Sequence, residues 1–376
     1  MSQIDHYLYK LTKKLSAISL RGIGISIWQI VKKSKWILLF VLCLSLGQIY
    51  RNRLQLVTWQ GEALGKSYQV DYWIKQATNY SVNINTLLDD LSQNIALDHG
   101  GSVVEEFNQY GCDAFYLAKP FLYELVDTSK IIYKATNGIF DPTIAPLVKL
   151  WKGCQANFIQ PDSNKIKDLR TYISLDYIVV NKERIKKLKE KVSLDVSGLL
   201  HGYAIDTIAD FLKERGTQDL CIKMGKLTVA YGNQPKTQGW FVQEPLTIQQ
   251  HNTLLIETML CDQALVIKQQ AKDGDSQKMA LIIDPTTGAP GQHSLLGVAV
   301  FAKHAVMADA YATAILAKGV EFAKNLASTQ QELEVWLVYE DVLGQIAYYA
   351  SEGLTMENDP HKKQLKLMIC KQNTIK

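Results

Sequence analysis

No C-x-x-C spacing joins any of the six cysteines, at positions 43, 112, 154, 221, 261 and 370, and the seven histidines are scattered. This excludes a local cage of Cys and His ligands and leaves separate thiols as the default. An oxidising compartment would leave the choice of any disulfide pairing open. Proline is scarce, 9 in 376 residues, and no linker rich in Pro, Gly or Ser and no internal repeat divides the chain. The rest of the composition, 47% hydrophobic and 21% charged, is that of a globular protein.

A net positive charge is also missing from the part that would fold. Residues 1–35 hold seven basic side chains (Lys10, Lys13, Lys14, Arg21, Lys32, Lys33, Lys35) against Asp5 alone. A total of +4, with +6 in that segment, leaves about −2 for the other 341 residues. That argues against nucleic acid as a partner.

A hydrophobic run of full spanning length is absent too. Trp36 to Tyr50 gives about 15 residues, where a comfortable transmembrane helix takes ~20. Trp36 and Tyr50 stand at its ends like interfacial aromatics, and local thinning absorbs a modest mismatch. A cleaved signal peptide with Ser45-Leu46-Gly47 as its site is the competing reading, and a buried core helix is the plainest one. Cys43 is a weaker candidate for lipid attachment, because Leu42 is large for the preceding position. The long basic lead favours an uncleaved anchor. Its charge keeps the N-terminus cytoplasmic and puts residues from Arg51 onward outside the inner membrane, in the periplasm. The expected organisation is therefore 1–35 as a basic segment lying on or under the membrane, 36–50 as a single transmembrane anchor, and 51–376 as one domain. Leu20 to Val31 is weakly amphipathic, as a surface-lying segment would be.

Within that domain, Ser67 to Trp73 alternates like a half-buried strand. Ile84 to Ile95 and Phe121 to Ala135 have helical spacing, the second stopping at Asn137-Gly138. Tyr177 to Asn181 and Val192 to Asp195 read as strands around a charged turn, Asn181 to Lys191. A helix is expected from about Leu199 to Arg215, with strands at Met279 to Ile283 and Leu296 to Ala302. Helices follow at Ala308 to Ala317 and Glu321 to Ala327, then a hairpin of Glu334 to Tyr339 with Gln345 to Ala350. Strands and helices mix without strict alternation, which favours an α+β fold.

Three stretches could carry chemistry. Gly138-Ile139-Phe140-Asp141-Pro142-Thr143 is a turn after a helix. Leu194-Asp195-Val196-Ser197-Gly198 ends a strand and starts a helix, where free amides attract phosphate; His201 follows one turn later. Ile283-Asp284-Pro285-Thr286-Thr287-Gly288 precedes Ala308-Asp309-Ala310-Tyr311-Ala312-Thr313. Asp309 and Thr313 are four apart and share a helix face, a pair of hard oxygens suited to Mg²⁺. Taken alone, the pair reads more simply as a helix start with Thr313 bonded back to the chain.

In order and together, these stretches resemble the FAD:protein FMN transferases, the ApbE family, from about Gly61 to Gly353. The resemblance implies a single ApbE-like domain of mixed sheets and helices, here expected behind the one N-terminal transmembrane helix read from residues 36–50. It implies FAD as substrate with Mg²⁺, and transfer of FMN to a Thr or Ser hydroxyl of a flavin-acceptor redox protein, with AMP leaving. On matched positions it assigns Asp309, Thr313 and the Gly198 carbonyl to the metal. It gives Asp195 and His201 to FAD, Phe140 and Asp141 to a flavin-site turn, Ile283 to a backbone contact and Leu64 to the entry of the first matched strand. Three departures stand out. Lys223-Met224-Gly225-Lys226-Leu227 replaces the family's Asn-Ile-Gly-Gly-Asp, and its Thr-Ser-Gly-Asp segment is unrecognisable near Leu265 to Gln270. Leu281 replaces a histidine that is a candidate base, so the catalytic residue is unassigned, with His304 and Asp284 the nearest substitutes in sequence. These departures keep two alternatives open: a non-enzymatic flavin-binding or scaffold protein, and an FAD pyrophosphatase.

Overall fold

Side chains alternating with a period of two build the centre of the molecule. The computed structural model describes residues 54–75, 78–95, 101–249, 252–270, 282–359 and 364–369. The basic segment and the anchor expected at 36–50 lie outside these residues. Among the described residues no helix is long and apolar enough to cross a membrane. One compact unit runs from Gln55 to Lys376.

The hairpin of β1 (Leu54–Ala63) and β2 (Lys66–Lys75) is followed by α1 (Ser81–Ile95), α2 (Val103–Gln109) and β3 (Tyr116–Leu117). Then come α3 (Pro120–Ala135), α4 (Ala145–Ala156), α5 (Ser163–Arg170), β4 (Ile178–Asn181), β5 (Arg184–Lys187) and α6 (Ser197–Glu214). Strands β6 (Asp219–Met224), β7 (Leu227–Tyr231), β8 (Trp240–Gln249), β9 (Asn252–Leu260) and β10 (Gln263–Gln269) lead to the short β11 (Ile283–Asp284) and β12 (Ala289–Pro290). The last elements are β13 (Leu295–Ala302), α7 (Ala305–Lys318), α8 (Val320–Thr329), β14 (Glu334–Glu340), β15 (Ile346–Ala350), β16 (Leu354–Asp359) and β17 (Gln364–Ile369).

Eight strands form the main sheet in the order β1-β2-β6-β7-β10-β13-β14-β15, antiparallel at every pairing from β2 onward. Its inner strands are buried on both faces. From β10 and β13, Ala264, Val266, Val298 and Val300 join the helical core formed with α6 and α7. Their neighbours Leu265, Ile267, Ala299 and Phe301 join a second core against β8, β9, β16 and β17. Those four strands make a separate sheet, ordered β16-β17-β9-β8. The result is three layers, helices on sheet on sheet, and the α+β expectation holds.

The charged run 181–191 folds differently from the expectation. The hairpin turn lies at Lys182 and Glu183, and Arg184–Lys187 is itself a strand paired with Ile178–Asn181. Ile185 and Lys187 point inward on its buried face. Lys187 is fully buried because Nζ donates to the carbonyls of Asn108 (2.9 Å) and Glu190 (3.2 Å). Val192 to Asp195 keeps a single bridge, Ser193 to Ile144.

Helices α6 and α7 position the site. The α7 sequence is rich in Ala, the best helix former, and most of it is buried. Small residues let α6 approach closely at Gly202, where a Cβ would stand 2.4 Å from Cα of Val306 and 2.5 Å from the Ala305 carbonyl. His304 caps α7 without a side-chain bond. The amides of Ala305 and Val306 donate instead to the Asp206 carboxylate on α6, at 3.0 and 2.9 Å. An anion at a helix N-terminus also suits its dipole.

Candidate active site

A cleft of about 550 Å³ opens where the start of α6, the middle of α7, the end of β10 and two Asp-Pro-Thr turns meet. Eight of the nine residues singled out from the sequence line it: Phe140, Asp141, Asp195, Gly198, His201, Ile283, Asp309 and Thr313. The ninth, Leu64, stands behind it in the β1–β2 turn. Leu64 and Gly65 have φ of +53° and +72°, the two left-handed residues of a tight hairpin. This conformation is strained for leucine, and the Leu64 carbonyl lies 3.2 Å from Nε2 of His201. A carbonyl only accepts, so Nε2 of His201 carries the hydrogen. Burial is the main cause of a lowered His201 pKa, opposed by Asp309 and the Leu64 carbonyl and assisted by Lys268 and Lys66.

The two Asp-Pro-Thr turns have one geometry. In each, Oδ1 of the aspartate accepts from the threonine amide at 2.8 Å and from its hydroxyl at 2.6 Å, as seen for Asp141 with Thr143 and Asp284 with Thr286. Their electrostatics differ. Burial pushes the Asp141 carboxyl up to about 6, against the Thr143 bonds. Burial acts the same way on Asp284, but the Thr286 bonds and Lys318, 2.9 Å from Oδ2, hold it below its ordinary value. Asp284 is thus occupied as a structural acceptor. Neither it nor the exposed His304 lines the cleft, so neither substitute suggested by sequence proximity reaches it. Leu281 lies outside the described residues.

The start of α6 draws the other stretches together. The Asp195 amide donates to the Pro142 carbonyl at 2.6 Å, and Asp195 Oδ1 accepts from the Ser197 amide at 2.9 Å. At Gly198 a Cβ would stand 3.2 Å from the Phe140 ring and 3.6 Å from the Thr313 methyl. Residues from three distant stretches therefore touch at one glycine.

The expected cation position has an occupant from the chain itself. Nζ of Lys268, near the end of β10, lies 2.6 Å from Asp309 Oδ1, 2.9 Å from the Asp309 carbonyl and 2.7 Å from Thr313 Oγ1. An ammonium has three donors, and these three acceptors match them. Thr313 Oγ1 donates in turn to the Asp309 carbonyl at 2.8 Å. Among the described residues no three His, Cys, Asp or Glu side chains converge to hold a metal. A divalent ion about 4 Å from this ammonium would be opposed by about 8 kcal/mol at an effective dielectric of 20. With Lys268 in place, the set of Asp309, Thr313 and Gly198 does not fit the magnesium ion expected of it.

Lys268, and with it Lys226 and Lys66 on the cleft wall, escaped the sequence reading. The available signal was a lysine directly after the buried run Ala264 to Ile267, in the segment where the resemblance fails.

Two carboxylates give the folded chain a definite pH response. Burial raises Asp141 and Asp206 from 3.8 to about 6, in Asp206 against the bonds from Val306 and Ala305. The folded state thus holds protons the unfolded chain has released, and unfolding free energy falls as pH rises from about 4 to 6. Asp284 acts oppositely, its contribution being lost only as pH falls below the ordinary carboxylate range. Urea unfolding at pH 4, 5 and 6 should show a decline on the order of 1–3 kcal/mol, flattened in the Asp141→Asn, Asp206→Asn double variant. An unchanged slope in that variant would refute the assignment.

Comparison with known proteins gives the arrangement a lineage. FAD:protein FMN transferases of Vibrio cholerae serotype O1 and Escherichia coli K12 are 23% and 24% identical to this chain. The first covers 75% of this chain and 87% of its own length, the second 71% and 78%. The solved structure of the flavin transferase ApbE from Vibrio cholerae superposes with a TM-score of 0.70 at 20% identity, covering 80% of this chain and 98% of its own. The apo flavinyl transferase ApbE of Pseudomonas stutzeri also gives 0.70, at 22% identity, with 80% and 95% covered. The pattern that defines the ApbE family matches residues 64–337, a span from the Leu64 turn through the cleft to the core strand β14. This chain belongs to the ApbE family.

Proposed function

We propose that this chain is an FAD:protein FMN transferase, binding FAD in the cleft and moving FMN onto a Thr or Ser hydroxyl of an acceptor protein. One observation carries the reading: residues from position 140 to position 313, in four separate stretches, converge on a single cleft. The family membership and the names of the relatives support it. In the reaction the acceptor oxygen attacks the FMN phosphorus, the bond from that phosphorus to the AMP phosphate breaks, and AMP leaves with the electron pair. The hydroxyl proton passes to a base.

Such a step needs charge neutralisation along the pyrophosphate. Lys66, Lys226 and Lys268 line the cleft beside the α6 N-terminus, whose dipole favours phosphate. Lys226 is held by Gln269 Oε1 at 3.2 Å. Magnesium, when bound in a family site, supplies comparable charge stabilisation; here the first two of its expected ligands face Lys268. Because flavin is a redox group, the acceptor is proposed to be a redox protein. The basic residues 1–35 before the apolar 36–50 support a tether in the inner membrane with the domain on its periplasmic side.

Incubation with FAD, with and without a flavin-acceptor protein, tests this. Transfer predicts AMP and protein-bound flavin together, and only with acceptor. AMP without acceptor would show FAD hydrolysis instead, and no FAD binding would show a non-enzymatic role.

A further inference from the structure

We infer that Lys268 replaces a resident divalent cation in this chain, so that the cleft is charged by its own lysines and takes a nucleotide pyrophosphate without a metal ion. The second half of the inference rests on the FAD reading above; the first does not.

Asp309 is a buried charge on the cleft wall. It is 5% exposed at its side chain and lies in the apolar wall of α7, where a lone carboxylate needs a cation. Lys268 supplies that cation from the neighbouring strand. The ammonium bonds the carboxylate, the Asp309 carbonyl and the Thr313 hydroxyl, and two of these, the carboxylate and the hydroxyl, are oxygens that a hard ion in that place would need. Side chain and ion therefore compete for the same lone pairs. The tethered group has the advantage of needing no uptake from solution.

Charge counting then points to Lys226. A divalent ion on Asp309 would leave one positive charge facing a ligand, whereas Lys268 on Asp309 leaves none. Lys226, at the turn between β6 and β7, restores that charge on the same cleft wall. Burial lowers its pKa, which marks an ammonium poorly hydrated and receptive to an anion. Lys268 and Lys226 together carry the charge of one divalent ion. Neither can leave the chain.

Manganese titration followed by EPR, on the full-length protein purified in EDTA and then freed of it, tests the first half. The wild type should show no saturable Mn²⁺ site that depends on Asp309. Lys268→Ala and Lys268→Ser should each gain one Mn²⁺ site per chain, and adding Asp309→Ala should remove it. Flavin-fluorescence titration tests the second half. Wild-type affinity for FAD should change less than about twofold between EDTA and excess Mg²⁺. In the Lys268 variants it should fall about tenfold or more in EDTA and recover with Mg²⁺. A wild-type Mn²⁺ site lost on Asp309→Ala would overturn the inference, as would wild-type FAD binding abolished by EDTA. Variants that gain no Mn²⁺ site would also count against it. If FAD fails to bind under every condition while the Mn²⁺ results hold, the lysine replacement stands and the FAD reading falls.

Discussion

Asp309→Ala is expected to reduce FMN transfer at least about a hundredfold, the scale on which a preorganised charge in an active site acts. The reason is the number of tasks the residue performs. Its Oδ1 holds Lys268, its Oδ2 lies 3.3 Å from the Gly202 amide, and its carbonyl receives both Lys268 and Thr313. Removing the carboxylate frees the ammonium from the geometry that fixes it in the cleft. The fold should tolerate this better than the chemistry. Lys268 is 23% exposed and keeps two oxygen partners, so water limits the loss of stability to about 1–3 kcal/mol. Asp309→Asn separates charge from shape, because the amide oxygen still faces Gly202. Kinetics and urea unfolding on both variants make the check. Near-wild-type turnover in either would remove Asp309 from the working site.

Gly202→Ala should carry the largest structural penalty of any single methyl in the helical layer. In an ordinary helix interior that exchange stabilises by roughly 1 kcal/mol. Here the added carbon would fall 2.4 Å from one backbone atom of α7 and 2.6 Å from another, atoms with no rotamer to change. The two helices must separate, at a cost of about 1–3 kcal/mol or more. Separation also pulls α7 from α6 at the Gly202–Asp309 contact and disturbs the Asp206 cap, so transfer should fall with stability. A denaturant midpoint equal to or above wild type would show that the close approach is not a constraint.

These two residues also mark how far the sequence could be read. The helices around the site were legible because their periodicity and stops are local: Phe121 to Ala135 before Asn137-Gly138, and the Ala-rich run ending at Gly319. The strands at 219–260 were not. In β8 a proline, Pro245, interrupts the signal, and it is tolerated because that strand is at a sheet edge. The charged run at 184–187 hid a strand because its inward lysine finds carbonyl partners that only tertiary structure brings. The hairpin at 334–350 was visible, but the second sheet that covers the other face of its strands was not.

The site shows the same division. The resemblance brought out Phe140, Asp195, Gly198, Asp309 and Thr313, because each lies in a short contiguous stretch: the turn after α3, the start of α6 or the body of α7. It missed Lys268, whose role depends on β10 running beside α7 in the folded core. A lysine in a strand ordinarily points to solvent. Only the position of Asp309 across the layer turns this one inward.

The most direct measurement counts AMP and acceptor-bound flavin in one reaction of the full-length protein with FAD and a flavin-acceptor protein, in EDTA. The account predicts one flavin attached per AMP released, with EDTA lowering the yield by no more than about twofold. Transfer that appears only on adding Mg²⁺, or AMP released with no flavin on the acceptor, would contradict it.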